Sequence, residues 1–199
     1  KFVNVFVLAA EAGLAIAIGG TVFLSVDNRI IGSLLFTVGL YTIVLNGLFL
    51  YTGKIGYLVK ENNKKEYAGV LLATWLGNLA GTGLGAAAVL CTRIGGIAEN
   101  ASAVCEVKLE DSLISIFILA IFCGILMFVA VDGYKEKGNP LILFMGVSVF
   151  ILCGFEHCIA NMFYFSLAGA WSAKAVLYLV VMTLGNSLGG ILIPFVKGR

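Results

Sequence analysis

Gly154-Phe155-Glu156-His157-Cys158-Ile159-Ala160-Asn161 sits in the middle of the apolar run Leu141–Leu167. An adjacent Glu and His are costly in hydrocarbon, so they must face protein or water. At 1.5 Å per residue the run is also longer than one bilayer crossing, which permits a break midway. A second run, Ile30–Val59, carries a similar interruption: Gly47-Leu48-Phe49-Leu50-Tyr51-Thr52-Gly53-Lys54.

Working outward, six segments reach the roughly 20 apolar residues that a spanning helix needs. They are Val3–Val26, Ile30–Val59, Tyr67–Cys91, Ser112–Val131, Leu141–Leu167 and Ala175–Val196. Of the 199 residues 60% are hydrophobic and 12% charged, with a mean hydropathy of +1.04. Soluble domains carry about a quarter charged residues, so lipid is the expected solvent. The 25 glycines against 2 prolines fit helices packed through small residues. A net charge of +2, with no basic run among aromatics, argues against nucleic acid. The chain starts at Lys1, read here as a missing amino terminus. Val3–Val26 lacks the short core and cleavage site of a signal peptide and is read as a span.

Gly77-Asn78-Leu79-Ala80-Gly81 in the third span recurs as Gly185-Asn186-Ser187-Leu188-Gly189-Gly190 in the sixth, 108 positions on. The interrupted runs are offset by a similar 105 positions, from Thr52 to His157. Three spans followed by three with matching features predict a tandem repeat, residues 1–92 and 108–199, within one transmembrane domain. An odd number of spans per unit inverts the second copy, and broken helices in corresponding places point to a solute path near the midplane. With the amino terminus inside, the inner side holds Lys1, Lys60, Lys64, Lys65, Lys135, Lys137, Lys197 and Arg199, against Arg29, Arg93, Lys108 and Lys174 outside. Eight against four predicts both termini in the cytoplasm, with the protein in the cell membrane.

His157, the one histidine, is the residue best suited to exchange a proton near neutral pH. Glu156 either holds its tautomer or faces away. Thr52, at the matching place in the first unit, offers a hydroxyl to a passing acid or satisfies a freed carbonyl. Leu50, Tyr51 and Phe150 are candidates to close the path, with Phe150 two helical turns before His157 on a shared face; ordinary packing is the alternative. Lys108 either draws anions into an outer vestibule or pairs with Glu106, Glu110 and Asp111. Glu11 needs a polar partner and is expected to face the bundle interior. Cys91 and Cys105 flank one loop and are a candidate pair in an oxidising compartment. Cys123, Cys153 and Cys158 read as inert buried thiols.

At these residues the chain resembles the formate/nitrite transporter family. The resemblance covers all six spans and is carried by Gly154 to Phe163, with support from Gly185-Asn186 through Gly190, Gly47 to Gly53 and Gly77-Asn78-Leu79. It implies an aquaporin-like all-α bundle with broken second and fifth helices. It also implies a homopentamer with a path through each protomer, carrying small monovalent anions or their conjugate acids (formate, nitrite or hydrosulfide). On this resemblance His157 is the central histidine, Thr52 the threonine of the broken helix, Leu50, Tyr51 and Phe150 the constrictions, and Lys108 the vestibule lysine. Glu156, Asn161 and Asn186 fall within the matching strings and are counted with the path. The chain departs from the family pattern at Phe49, usually acidic, at Gly124, often asparagine, and at Lys54, usually small or an amide. The outer loop before the fourth span also looks short. These changes bear on path width and field, and hydrosulfide, the subgroup of smallest solute, suits a narrow path.

Two other classes compete. An aquaporin-like neutral-solute channel would carry paired Asn-Pro-Ala turns, which are missing. A haem-holding subunit needs two axial ligands, commonly histidines, and there is one. No nucleophile–base pair or metal-ligand spacing points to an enzyme, and no cofactor is implied.

Overall fold

The structure, a computed structural model, describes residues 2–196 and 198. Lys1, Lys197 and Arg199 of the charge count lie outside the described residues. Four helices are long and apolar enough to cross a membrane: α1 (Phe2–Ser25), α4 (Lys64–Leu90), α6 (Leu113–Lys137) and α9 (Ala173–Val196). The two other expected spans are each split. The first comprises α2 (Arg29–Leu45), then α3 (Tyr51–Lys54) running into a 3-10 turn at Ile55–Val59. The second comprises α7 (Leu141–Leu152) and α8 (Cys158–Leu167). The stretch expected to be a short outer loop instead contains a 13-residue helix, α5 (Ala98–Glu110). Asn100 Nδ2 donates to the Leu24 carbonyl (2.9 Å) and Tyr178 Oη to that of Asp111 (2.7 Å), pinning α5 at both ends.

The two breaks are built alike. Gly47 and Gly154 take φ of +64° and +69°, a left-handed turn that glycine reaches without steric cost. Each ends its helix with a bond reaching back five residues, from Leu48 N–H to the Ile43 carbonyl (2.9 Å) and from Phe155 N–H to that of Phe150 (2.8 Å). The chain then runs extended through Leu50 and His157 before the next helix starts. Buried backbone groups opened this way need partners, and one asparagine serves each break. Asn78 Nδ2 donates to the carbonyls of Ala9 and Phe49 (both 2.8 Å), and its Oδ1 accepts from Tyr51 N–H (2.9 Å). Asn186 Nδ2 donates to Ala120 (2.8 Å) and Glu156 (2.7 Å), and its Oδ1 accepts from Cys158 N–H (2.8 Å).

Glycines set the helix spacing that makes this possible. α4 packs on α1, and α9 on α6. A Cβ at Gly81 would fall on the Ala10 carbonyl oxygen, and one at Gly189 on that of Ile121. Gly83, two residues on and on another face of α4, has nothing within 4 Å of its added Cβ. The broken segments then cross over: α8 packs against α4, and the 3-10 turn after α3 against α9. Trp75 Nε1 donates to Thr183 Oγ1 (3.1 Å), joining residues 108 positions apart where the two sets of contacts meet. The outward face is largely apolar, with Ile18, Leu34, Leu72, Ile114 and Leu184 exposed. Glu11 lies on that exposed face rather than toward the bundle interior, correcting the sequence expectation. Cys91 and Cys105 are not bonded to each other; Cys91 is exposed, and burial pushes the Cys105 thiol up to about 11.

Gly189→Ala should force α6 and α9 apart and lower the detergent thermal midpoint by several degrees, a loss of about 1–3 kcal/mol for overpacking. Gly83→Ala should be neutral or stabilising, because alanine favours helix by up to about 1 kcal/mol. Equal effects in paired melts would contradict this account of the spacing.

Candidate functional site

His157 occupies the extended residue just before α8, and Leu50 the equivalent residue before α3. The hydrogen bonds therefore pair the breaks as Phe49 with Glu156, Leu50 with His157 and Tyr51 with Cys158. Thr52 is not the counterpart of His157, as the 105-position offset suggested; it is its partner. Thr52 Oγ1 and His157 Nε2 are 2.8 Å apart, with both residues buried. The other ring nitrogen caps α8: Nδ1 accepts from Ala160 N–H (3.0 Å). Nδ1 is thus the acceptor, so the neutral ring carries its proton on Nε2 and donates it to Thr52.

Phe150 covers His157 from one side, its ring stacked at 5.5 Å between centroids and 19° between planes. This contact does not come from a shared helix face, since α7 stops at Leu152; the turn at Gly154 folds the histidine back onto the ring. Phe36 meets Phe150 edge-on at 6.1 Å. Leu50 and Phe150 are 2% and 4% exposed, so the His157 region is closed by apolar bulk.

Two cavities flank this closed section. One, of about 460 Å³, is lined by Arg29, Lys108, Phe150, Glu156, His157 and Asn161, among others. The other, of about 60 Å³, is lined by residues including Leu50, Gly53, Lys54, Val131 and Lys135. Lys108 closely precedes α6 and Lys135 lies in its last turn, so the cavities sit at opposite ends of a 25-residue helix, about 37 Å long.

Lys108 does not pair with Glu106, Glu110 or Asp111. Its Nζ is 2.6 Å from Glu156 Oε2. Glu156 thereby faces away from His157, and the same oxygen accepts from Asn161 Nδ2 (2.8 Å). Arg29 joins them in the larger cavity, where its Nη2 donates to the carbonyls of Ile151 and Leu152 (3.3 Å each) at the end of α7. Sequence reasoning missed Arg29, although a cation in the first turn of α2 opposes that helix's own dipole and hints at another partner. Asn186 is bonded throughout to backbone and lines neither cavity. Tyr51 turns aside, its Oη 2.8 Å from Ser187 Oγ and its ring in a cleft with Leu71, Trp75 and Thr183.

The family model for formate/nitrite transporters matches residues 1–196. The chain belongs to the formate/nitrite transporter family. Its architecture matches a pentameric formate channel with formate bound at a TM-score of 0.88 and 25% identity, covering 99% of this chain and 96% of that one. An ion channel of the same family shares the fold at a TM-score of 0.79 and 23% identity, covering 100% and 89%. The formate channel FocA of Haemophilus influenzae is 29% identical over 82% of this chain and 70% of its own length. The formate channel FocB of Escherichia coli is 27% identical over 81% and 65%. The chain thus spans about two thirds of these relatives, all named as channels and none as an enzyme. Family membership and the four long apolar helices make it a membrane protein. Gly124 has a packing role: a Cβ there would fall on the Asn186 carbonyl oxygen.

The Lys108–Glu156 pair is nearly dry, with side chains 13% and 4% exposed. Lys108→Met should strand a buried carboxylate and destabilise the fold by about 3–5 kcal/mol. Adding Glu156→Gln should recover much of that loss, read as a double-mutant cycle of detergent melts. Additive losses would contradict the pairing.

Proposed function

We propose that this family member is a channel for small monovalent anions or their conjugate acids, of the formate, nitrite or hydrosulfide class. The solute passes His157 between constrictions at Phe150 and Leu50. The observation that carries the reading is the buried Thr52–His157 bond, which joins the two helix breaks between cavities at opposite ends of α6. The two sets of contacts at the breaks support a pair of three-span units, residues 1–92 and 108–199, running in opposite directions across the membrane. On this reading both termini are cytoplasmic, the Lys108 cavity opens outward, the protein sits in the cell membrane, and five copies assemble, as in the pentameric formate channel it resembles, each with its own path.

The mechanism follows from charge and water. The larger cavity holds two cations, Arg29 and Lys108, against one carboxylate, Glu156, so its surplus is positive and concentrates anions. Beyond it, Phe150 and Leu50 exclude water, and a bare anion there loses its hydration with no counter-charge. Desolvation raises the solute's own pKa, so it takes up a proton and crosses as the neutral acid. The His157 Nε2–H donates to Thr52, which leaves the threonine hydroxyl proton free to bond the solute. His157 stays neutral, because a proton on Nδ1 would oppose the Ala160 N–H. The proton that travels is the solute's, drawn from water in the outer cavity.

His157→Asn separates the two jobs of the ring. Asparagine is a good helix cap and keeps the bond to Ala160, but it has no group at the Nε2 position. The variant should fold and assemble normally, while formate or nitrite uptake into proteoliposomes falls at least about tenfold and keeps its rise at low external pH, because the proton that crosses is the solute's. An unchanged uptake rate would remove His157 from the path, and loss of the pH rise would mean that the ring itself supplies the proton.

A further inference from the structure

We propose that Lys54 forms a second anion site, one that takes a single small monovalent anion such as formate, nitrite or a halide at the mouth opposite Lys108. The inference deepens the transport reading and rests on it for the site's role, but its geometry stands apart from that reading. Lys54 lies one helical turn beyond Leu50 and lines the smaller cavity together with Gly53 and Lys135. Its backbone is fixed, since Tyr67 Oη donates to the Lys54 carbonyl (2.9 Å). Its side chain is fixed as well, with Nζ held 3.7 Å over the centre of the Phe49 ring.

A half-buried ammonium normally has a carboxylate nearby. Among the described residues Lys54 has none in ion-pair range, and the charge it feels is the like charge of Lys135. Lys135 is already engaged: its Nζ is 3.4 Å from Tyr57 Oη, which in turn donates to Asp132 (3.0 Å). An aromatic face attracts a cation without neutralising it. Phe49 therefore orients the ammonium and leaves its charge for a ligand. The cavity, about 60 Å³, has room for a small ion of one to three heavy atoms. Phe49 and Lys54 thus act as one unit: the ring orients the ammonium, and the lysine supplies the charge that holds an anion. Anions leaving by this mouth meet a cation immediately past the Leu50 constriction, and anions entering from it are collected there.

Two measurements test this together on the full-length chain in its assembled form. Crystals soaked in bromide should show an anomalous peak beside Lys54 Nζ in the wild type, lost in Lys54→Met and kept in Lys54→Arg. In proteoliposomes of fixed orientation, Lys54→Met should raise the half-saturating formate or nitrite concentration about tenfold on the Lys54 side only. Absence of the bromide peak, or its persistence in Lys54→Met, would overturn the site. A one-sided shift missing from an otherwise active channel would overturn its role. A bromide peak in a wild type that carries no flux leaves the site standing and removes the transport reading instead.

Discussion

A helix that stops inside a bilayer leaves backbone N–H and C=O groups with no water to bond them, and each such group costs several kcal/mol unless protein replaces the water. This chain meets that constraint twice with one residue type. Asn78 and Asn186 are fully buried, and each bonds one carbonyl and one N–H at a break and a second carbonyl on a neighbouring helix. Everything distinctive about the interior follows from these amides. They permit the chain to run extended at Leu50 and His157, and this exchanges a continuous helical wall for a place where side chains meet across the molecule.

The site is therefore a by-product of the breaks rather than an addition to them. Because His157 precedes α8, one ring nitrogen is spent on the helix cap and only the other is left to meet Thr52. The side chain of the adjacent Glu156 points the other way, toward Lys108 and Asn161. The two neighbouring side chains thus serve different places, Glu156 in the charged cavity with Lys108 and His157 in the buried contact with Thr52. Arg29 extends the same logic, holding the last carbonyls of α7 while adding positive charge to the cavity.

Much of this was legible in the sequence, and the failures are instructive. Apolar runs too long for one crossing, each holding glycine and a polar residue, located both breaks, and Gly77-Asn78 with Gly185-Asn186 marked the matching braces. The pairing within the breaks was read two residues out of register, because Thr52 and His157 were aligned by polarity. The backbone bonds instead equate Leu50 with His157. The Lys108–Glu156 pair was hidden because its partners are 48 positions apart, and because Ala98–Glu110 has no apolar stripe strong enough to announce a helix that folds back. Lys54 on Phe49 is a contact across a break, five positions apart, that helical spacing alone would not bring together.

The central claim is that the solute crosses the section between Phe150 and Leu50 as a neutral acid. The most direct test follows internal pH and solute content together in wild-type proteoliposomes, with the membrane potential clamped at several values. The account predicts internal acidification in step with formate or nitrite entry, at rates that do not respond to the clamped potential. Entry that follows the potential and leaves internal pH unchanged would mean that the bare anion crosses, and would contradict it.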